Sequence, residues 1–152
     1  MIAAWVLHIV YNKVKIIAHR GNLNGNEGCE NTIATFKKCF KKQLDVEADV
    51  WFIDGRYFLG HDKPEERVEK QFLLNNPVWC HAKNLPALEE MLTDNIHCFW
   101  HQNDNFTLTS RNYIWTFPNY TVTPKSVIVT NKIPNDSCFG ICTDYPISLC
   151  DS

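Results

Sequence analysis

Short apolar runs, broken by Gly, Asn, Asp and Pro, recur along the chain and predict strands more often than helices. Residues 14–18 form one such run and read as a buried strand ending at His19. Residues 21–28 carry three Gly and three Asn, so they form a loop with freedom for positive φ. A helix follows, capped near Asn31 or Thr32 and running to about residue 42. Ile33, Phe36 and Phe40 make its apolar face, and Lys37, Lys38, Lys41 and Lys42 make a solvated one.

Residues 45–52 alternate as a second strand. Glu47, Asp49 and Trp51 share one face, and Val46, Ala48, Val50 and Phe52 share the other. Asp54-Gly55 is a hairpin turn that returns through residues 57–60 and delivers His61. Residues 63–76 are long enough for one helix. Residues 77–83 are a third strand, with Trp79, His81 and Lys83 on one face. Residues 85–94 are a helix with Leu85, Leu88 and Leu92 as its stripe, and strand four is 97–101. Runs at 106–109, 113–117, 126–130 and 139–143 then follow with gaps too short for well-formed helices. The total is eight candidate strands and two or three helices in a single domain, 1–152.

Composition narrows the function classes. Hydrophobic residues are 45% of the 152, enough for a core. A net charge of −2 and a pI of about 6.3 supply no nucleic-acid footprint. Seven cysteines without a paired short-range pattern read as small buried hydrophobes in a reducing, cytoplasmic setting. Residues 2–10 are apolar apart from His8, too short to span a bilayer and without a basic lead. They are expected to extend the first strand or to start the chain without structure, 1–13 being an N-terminal extension. A signal peptide, and with it secretion, is the alternative. Three glycosylation-type triplets, at Asn105, Asn119 and Asn135, matter only in that case.

The candidate chemistry lies at strand ends. Glu47 and Asp49, about 7 Å apart along one strand face, repel unless a proton or a cation sits between them. The opposite face is apolar, so both faces read as buried, and buried acids need a partner. Oxygen ligands suit Mg²⁺ or Ca²⁺. His19 and His61 each close a strand or hairpin, and Arg20 can clamp a phosphate. Together they suggest attack on a phosphate ester, with a metal to neutralise charge and one histidine each as base and acid. A zinc finger from His81, His97 and His101 with Cys80 and Cys98 is disfavoured: alternation turns the cysteines away, and no C-x-x-C pair exists. Ser110 and Arg111 are candidates to face the pocket, and Asp144 is expected to be structural.

The order "AHRG", "ENTIATF", "DVEADVWFIDGRYFLGHD" resembles the glycerophosphodiester phosphodiesterase family over residues 14–62. "VWCHAKN" and "GICTDYP" resemble its later strands. The resemblance implies a (β/α)₈ TIM-type barrel, a divalent metal and hydrolysis of glycerophosphodiesters or related phospholipid head-group diesters. It implies His19 and His61 as acid and base, Glu47 and Asp49 as metal ligands, and Arg20 and Lys83 on the phosphate. Glu30 would orient the site, and His101 would reach it as a substrate contact.

Two departures follow. His81 stands where the family has a third acid, which opens the site to Mn²⁺ or Zn²⁺. A full barrel of this type needs about 250 residues, so this one is expected to be compact, with several helices missing from its C-terminal half. Trp115, Phe117, Val127 and Val129 would then be bare on its outer side, the barrel being open or that side covered, a homodimer being one such cover. A cyclic-phosphate-forming lyase, a barrel that binds phosphate compounds without turnover and a purely structural domain are the competing readings.

Overall fold

A computed structural model describes residues 14–150. The N-terminal extension or signal peptide expected at 1–13 lies outside the described residues. The first apolar run is β1 (Lys15–Ala18), which ends in a single 3-10 turn over His19–Gly21. The loop after it leads to α1 (Ile33–Lys41), where the Thr32 hydroxyl accepts from the Thr35 N–H and starts the helix. Phe36 on its inner face is fully buried, worth about 2 kcal/mol of apolar transfer. The alternating acidic run is β2 (Asp45–Ile53), and Asp54-Gly55, both at positive φ, turn it into β3 (Arg56–Leu59).

Residues 63–76 are not one helix. They form the short strand β4 (Glu66–Val68), antiparallel to β3, and then α2 (Lys70–Asn75). Val68 at the end of this strand is buried, while Arg67 is turned to solvent, so a period of two prevails there. Next come β5 (Val78–Ala82), α3 (Leu85–Thr93) and β6 (Cys98–Phe99). Asn84 caps α3 by accepting from Ala87 N–H, and its amide also pairs with both backbone groups of Phe52. The helix turns Ala87 and Met91 to the core, leaving Leu85 and Leu92 of the expected stripe exposed. The chain closes with β7 (Phe106–Leu108), β8 (Ile114–Thr116), β9 (Ser126–Val129), β10 (Gly140–Thr143) and α4 (Pro146–Cys150).

The expected (β/α)₈ barrel does not form. Among the described residues the sheet is mixed, ten-stranded and open, with four short α-helices. Seven strands run parallel in the order β8-β9-β10-β1-β2-β5-β6, while β3, β4 and β7 are antiparallel additions. Closure fails for two local reasons. The β6 strand is only two residues long, and its free edge is taken by the turn at Ser110, whose N–H donates to Cys98 O at 2.8 Å. The β7 strand folds back on β8 and occupies the edge that closure would use.

The sheet nevertheless curls, until Phe99 of β6 stacks on Trp115 of β8 at 4.4 Å. Its concave face carries Ile17, Trp79, Phe99, Trp115, Val127 and Cys142. Trp115 and Val127 are therefore buried inside and not bare outside. On the convex face, α1, α2 and α3 cover β2 and β5. Ile128 and Ile141 of β9 and β10 pack under Val122, Cys138 and Leu149. Loops and α4 thus do there what crossover helices do in a barrel. All seven cysteines are free, five of them buried.

Candidate active site

Register puts the chemistry on the concave face. In the parallel ladder Glu47 pairs with Trp79, and Asp49 pairs with His81. The side chains of Glu47, Asp49 and His81 therefore project the same way at neighbouring heights. Suitable donor atoms of the three lie within 4.8 Å of one another, and both carboxylates are buried. They line a cleft of about 410 Å³ with His19, Arg20, His61, Lys83, His101 and Gln102 on its polar side. Trp115, Phe117, Pro118 and Val129 form the apolar side. Eight of the nine residues expected at the site are thus together. Glu30 stands behind them, accepting from Arg20 Nη1 at 3.1 Å and from the Asn22 amide at 3.0 Å.

His81 is held in one tautomer. Its Nε2–H donates to the backbone carbonyl of His101 at 2.8 Å, which leaves Nδ1 facing Asp49 Oδ1 at 3.1 Å and Glu47 Oε1 at 3.9 Å. Burial lowers the affinity of this ring for a second proton, but the Asp49 hydrogen bond and the two carboxylate charges outweigh it and raise its pKa. Without a metal, Nδ1 therefore takes up a proton more readily than a free imidazole does. Two buried carboxylate oxygens and one pre-oriented imidazole nitrogen form a donor set that fits a divalent ion.

The two carboxyls differ. Burial pushes Glu47 up, and the charge of Asp49 adds to this. Burial acts the same way on Asp49, but the His81 hydrogen bond, the His81 and Lys83 charges and the Asn31 amide hold it down at about 2. Lys83 Nζ stands 3.6 Å from Asp49 Oδ1, and Arg20 Nε stands 3.2 Å from Oδ2. That Arg20 nitrogen is buried without a well-aligned hydrogen bond, so its link to Asp49 is one of charge alone.

Backbone geometry places the histidines. Arg20 adopts a left-handed φ of 52°, and its N–H donates to Glu47 Oε2 at 3.1 Å, tying the end of β1 to β2. His19 Nδ1 bonds Asp144 at 2.8 Å, which leaves Nε2 towards Glu47 at 3.9 Å. Burial lowers the His19 pKa, but Asp144 and Glu47 overcome this and raise it. His61 is fixed from below, because Trp51 Nε1 donates to Gly60 O at 2.7 Å and Gly60 N–H donates to Asp49 O at 3.2 Å. Gly60 has φ 146°, and a Cβ there would strike the Lys63 carbonyl. His61 Nδ1 pairs with Asp62 at 2.8 Å, so both histidines present Nε2.

Three polar residues belong to the site that the sequence reading did not place there. Asn31 is bonded twice to Asp49, and Asn22 bridges Glu30 and Asp144. Asp144, expected to be structural, orients His19. Asn22 and Asn31 read as loop and cap residues because turns and caps use the same amides. Ser110 and Arg111 do not reach the cleft. Ser110 satisfies Cys98 N–H, and Arg111 lines a separate cavity of about 260 Å³ with Lys15, Asp45 and His97. Among the described residues no helix is long and apolar enough to cross a membrane. Comparison with protein-family models, curated proteins and solved structures gives no match to this chain.

Proposed function

We propose that this protein is a metal-dependent phosphodiesterase acting on glycerophosphodiesters or related phospholipid head-group diesters. The observation that supports this reading best is the convergence of Glu47, Asp49 and His81 in a cleft shared with two histidines and two cations. A divalent ion held by these three residues would neutralise charge on a phosphate oxygen. The carboxylates suit Mg²⁺ or Ca²⁺, and the imidazole extends the range to Mn²⁺ and Zn²⁺. His81 would offer Nδ1 to the ion as a neutral ring, the His101 carbonyl keeping the proton on Nε2. Arg20 and Lys83, both beside Asp49, supply positive charge for the remaining phosphate oxygens.

His19 and His61 each have Nδ1 tied to a carboxylate and Nε2 available. One takes a proton from water, and the other gives a proton to the oxygen of the departing alcohol. If the nucleophile is a substrate hydroxyl, the same two steps yield a cyclic phosphate. The test is hydrolysis of glycerophosphocholine and an aryl phosphodiester with Mg²⁺, Ca²⁺, Mn²⁺ or Zn²⁺, followed by phosphorus NMR. Activity is expected to be lost with chelator, in Asp49→Ala and in His61→Ala. A folded protein that cleaves neither substrate with any of the metals overturns the proposal.

One observation favours a second reading, a phosphate-binding protein without turnover. Arg20 and Lys83 already stand beside Asp49 without any ion, and the His81 ring faces it at 3.1 Å. Tight binding of glycerophosphate that is indifferent to chelator, without cleavage, would support it.

A further inference from the structure

The apolar wall of the cleft does not stop at its mouth. His101 and Phe117, both lining the cleft, have ring centroids 5.8 Å apart. Phe117 meets Tyr120 edge-on at 6.3 Å, and Tyr120 meets Phe106 edge-on at 5.8 Å. Phe117 and Tyr120 are each 42% exposed, and Phe106 is 50% exposed. Four rings thus form a strip that leads from the candidate catalytic centre onto the outer surface. Scattered apolar residues on a surface are ordinary, but a contiguous aromatic strip joined to a cleft marks a contact site.

The chemistry around the strip separates its occupants. Its polar neighbours are Gln102, Asn103, Asp104, Asn105 and Asn119, all exposed. From residue 101 to residue 120 the one Lys or Arg is Arg111, and it lines the other cavity. An anionic lipid surface would be met by lysines and arginines, and nucleic acid likewise. Flat rings edged with amides instead offer stacking faces and hydrogen bonds to a neutral, hydroxyl-rich chain. His101 adds a buried ring nitrogen, Nδ1, that has no hydrogen-bond partner.

We infer that the strip His101–Phe117–Tyr120–Phe106 binds a neutral oligosaccharide, so that the substrate is a saccharide chain carrying the phosphodiester. This rests on the phosphodiesterase reading of the cleft, and it narrows the alcohol side of the substrate to a sugar. The sugar rings lie on Phe117 and Tyr120 while the phosphate reaches Arg20 and Lys83.

The test reads binding without turnover. Saturation-transfer NMR is run on the whole chain in chelator with cellohexaose, maltohexaose and chitohexaose. Sedimentation with phosphatidylcholine vesicles and analytical ultracentrifugation run beside it. At least one oligosaccharide is expected to bind, about tenfold more weakly in Phe117→Ala and in Tyr120→Ala. Leu92→Ala, an exposed apolar residue on α3, should leave binding unchanged, and circular dichroism checks that all three variants fold. The inference is overturned if none of the three sugars binds, or if binding survives both aromatic variants. It is also overturned if vesicles or a second copy of the chain capture the strip instead. Cleavage of glycerophosphocholine without sugar binding would sink this inference alone, and sugar binding without any cleavage would sink the catalytic reading and leave the strip as a saccharide contact only.

Discussion

Asn31 and Asp49 are bonded to each other twice. The Asn31 amide nitrogen donates to Asp49 Oδ2 at 2.9 Å, and the Asp49 backbone N–H donates to Asn31 Oδ1 at 2.9 Å. The pair is buried, and Asn31 reaches it from a left-handed φ of 56° that asparagine tolerates better than most residues. The contact joins the start of α1 to the candidate metal ligand on β2. Replacing Asn31 by Ala leaves a buried carboxylate oxygen and a buried N–H short of a partner. Asn31→Ala is expected to lose about 2 kcal/mol in urea unfolding. Asn31→Gly, which relieves the backbone but removes the same two bonds, should lose a comparable amount. No loss in either variant would show that Asp49 is held by its cations alone.

The His81–His101 contact predicts how metal binding depends on pH. The carbonyl fixes Nε2–H, so a metal competes with a proton for Nδ1. Binding should weaken as pH falls through the raised His81 pKa. In a thermal-shift titration Mn²⁺ and Zn²⁺ should raise the melting temperature of the native chain, and Glu47→Gln should abolish the effect. His81→Asp restores a third acid and should move the preference towards Mg²⁺ or Ca²⁺. A metal response in His81→Ala equal to that of the native chain would remove His81 from the ligand set.

Much of the local structure was legible because it follows from local chemistry. Alternation set the faces of β2, Asp54-Gly55 set the hairpin, and the residues at strand ends converge on one cleft. What failed depends on contacts distant in sequence. Periodicity groups Trp115 with Phe117 and Val127 with Val129 but does not show which way either pair turns; register and the curl of the sheet turned Trp115 and Val127 inward. The Leu85, Leu88 and Leu92 spacing fits a helix stripe as well as Ala87 and Met91 do, and only the packing of α3 on the sheet chooses. Barrel closure was lost to β7, whose return onto β8 a run of apolar residues does not announce. Asp144 reads as a strand-end acid, but its partner His19 is 125 positions away.

That Asp144–His19 bond makes a separate prediction. A carboxylate can only accept from Nδ1, which leaves Nε2 as the working nitrogen, and the Asn22 amide donates to the same carboxylate at 2.9 Å. In Asp144→Asn the new amide can donate to Nδ1 and drive the proton to Nε2. If the cleft is catalytic, kcat should fall about tenfold to hundredfold with KM little changed. The limb of the pH–rate profile that reports His19 should move to lower pH, because the Asp144 hydrogen bond is the largest of the contributions that raise that histidine, Glu47 adding to it. An unshifted profile would reduce Asp144 to a structural contact.

His97 lies at the other end of the sheet and titrates in the opposite sense. Its ring packs against Trp79 at 4.3 Å, and Nε2 bonds the Thr109 hydroxyl at 2.9 Å. Burial, reinforced by the charge of Arg111, lowers its pKa from 6.5 to about 4. The folded chain therefore keeps His97 neutral while the unfolded chain takes up a proton below pH 6.5. Stability from this group is present above pH 6.5, falls as pH drops from 6.5 to about 4, and levels off below that. His101, also lowered, slopes the same way. His19 and His81 are raised, so in chelator their contribution is complete below pH 6.5 and is lost as pH rises through their folded values. Urea midpoints of the chelated protein should thus fall on both sides of a maximum. His97→Gln, which keeps an amide for Thr109, should flatten the acid side and leave the alkaline side in place. Carbon-bound proton NMR reads the same group directly: a His97 resonance titrating near 6.5 would mean that its ring is not shielded by Trp79, and the acid slope would then need another source.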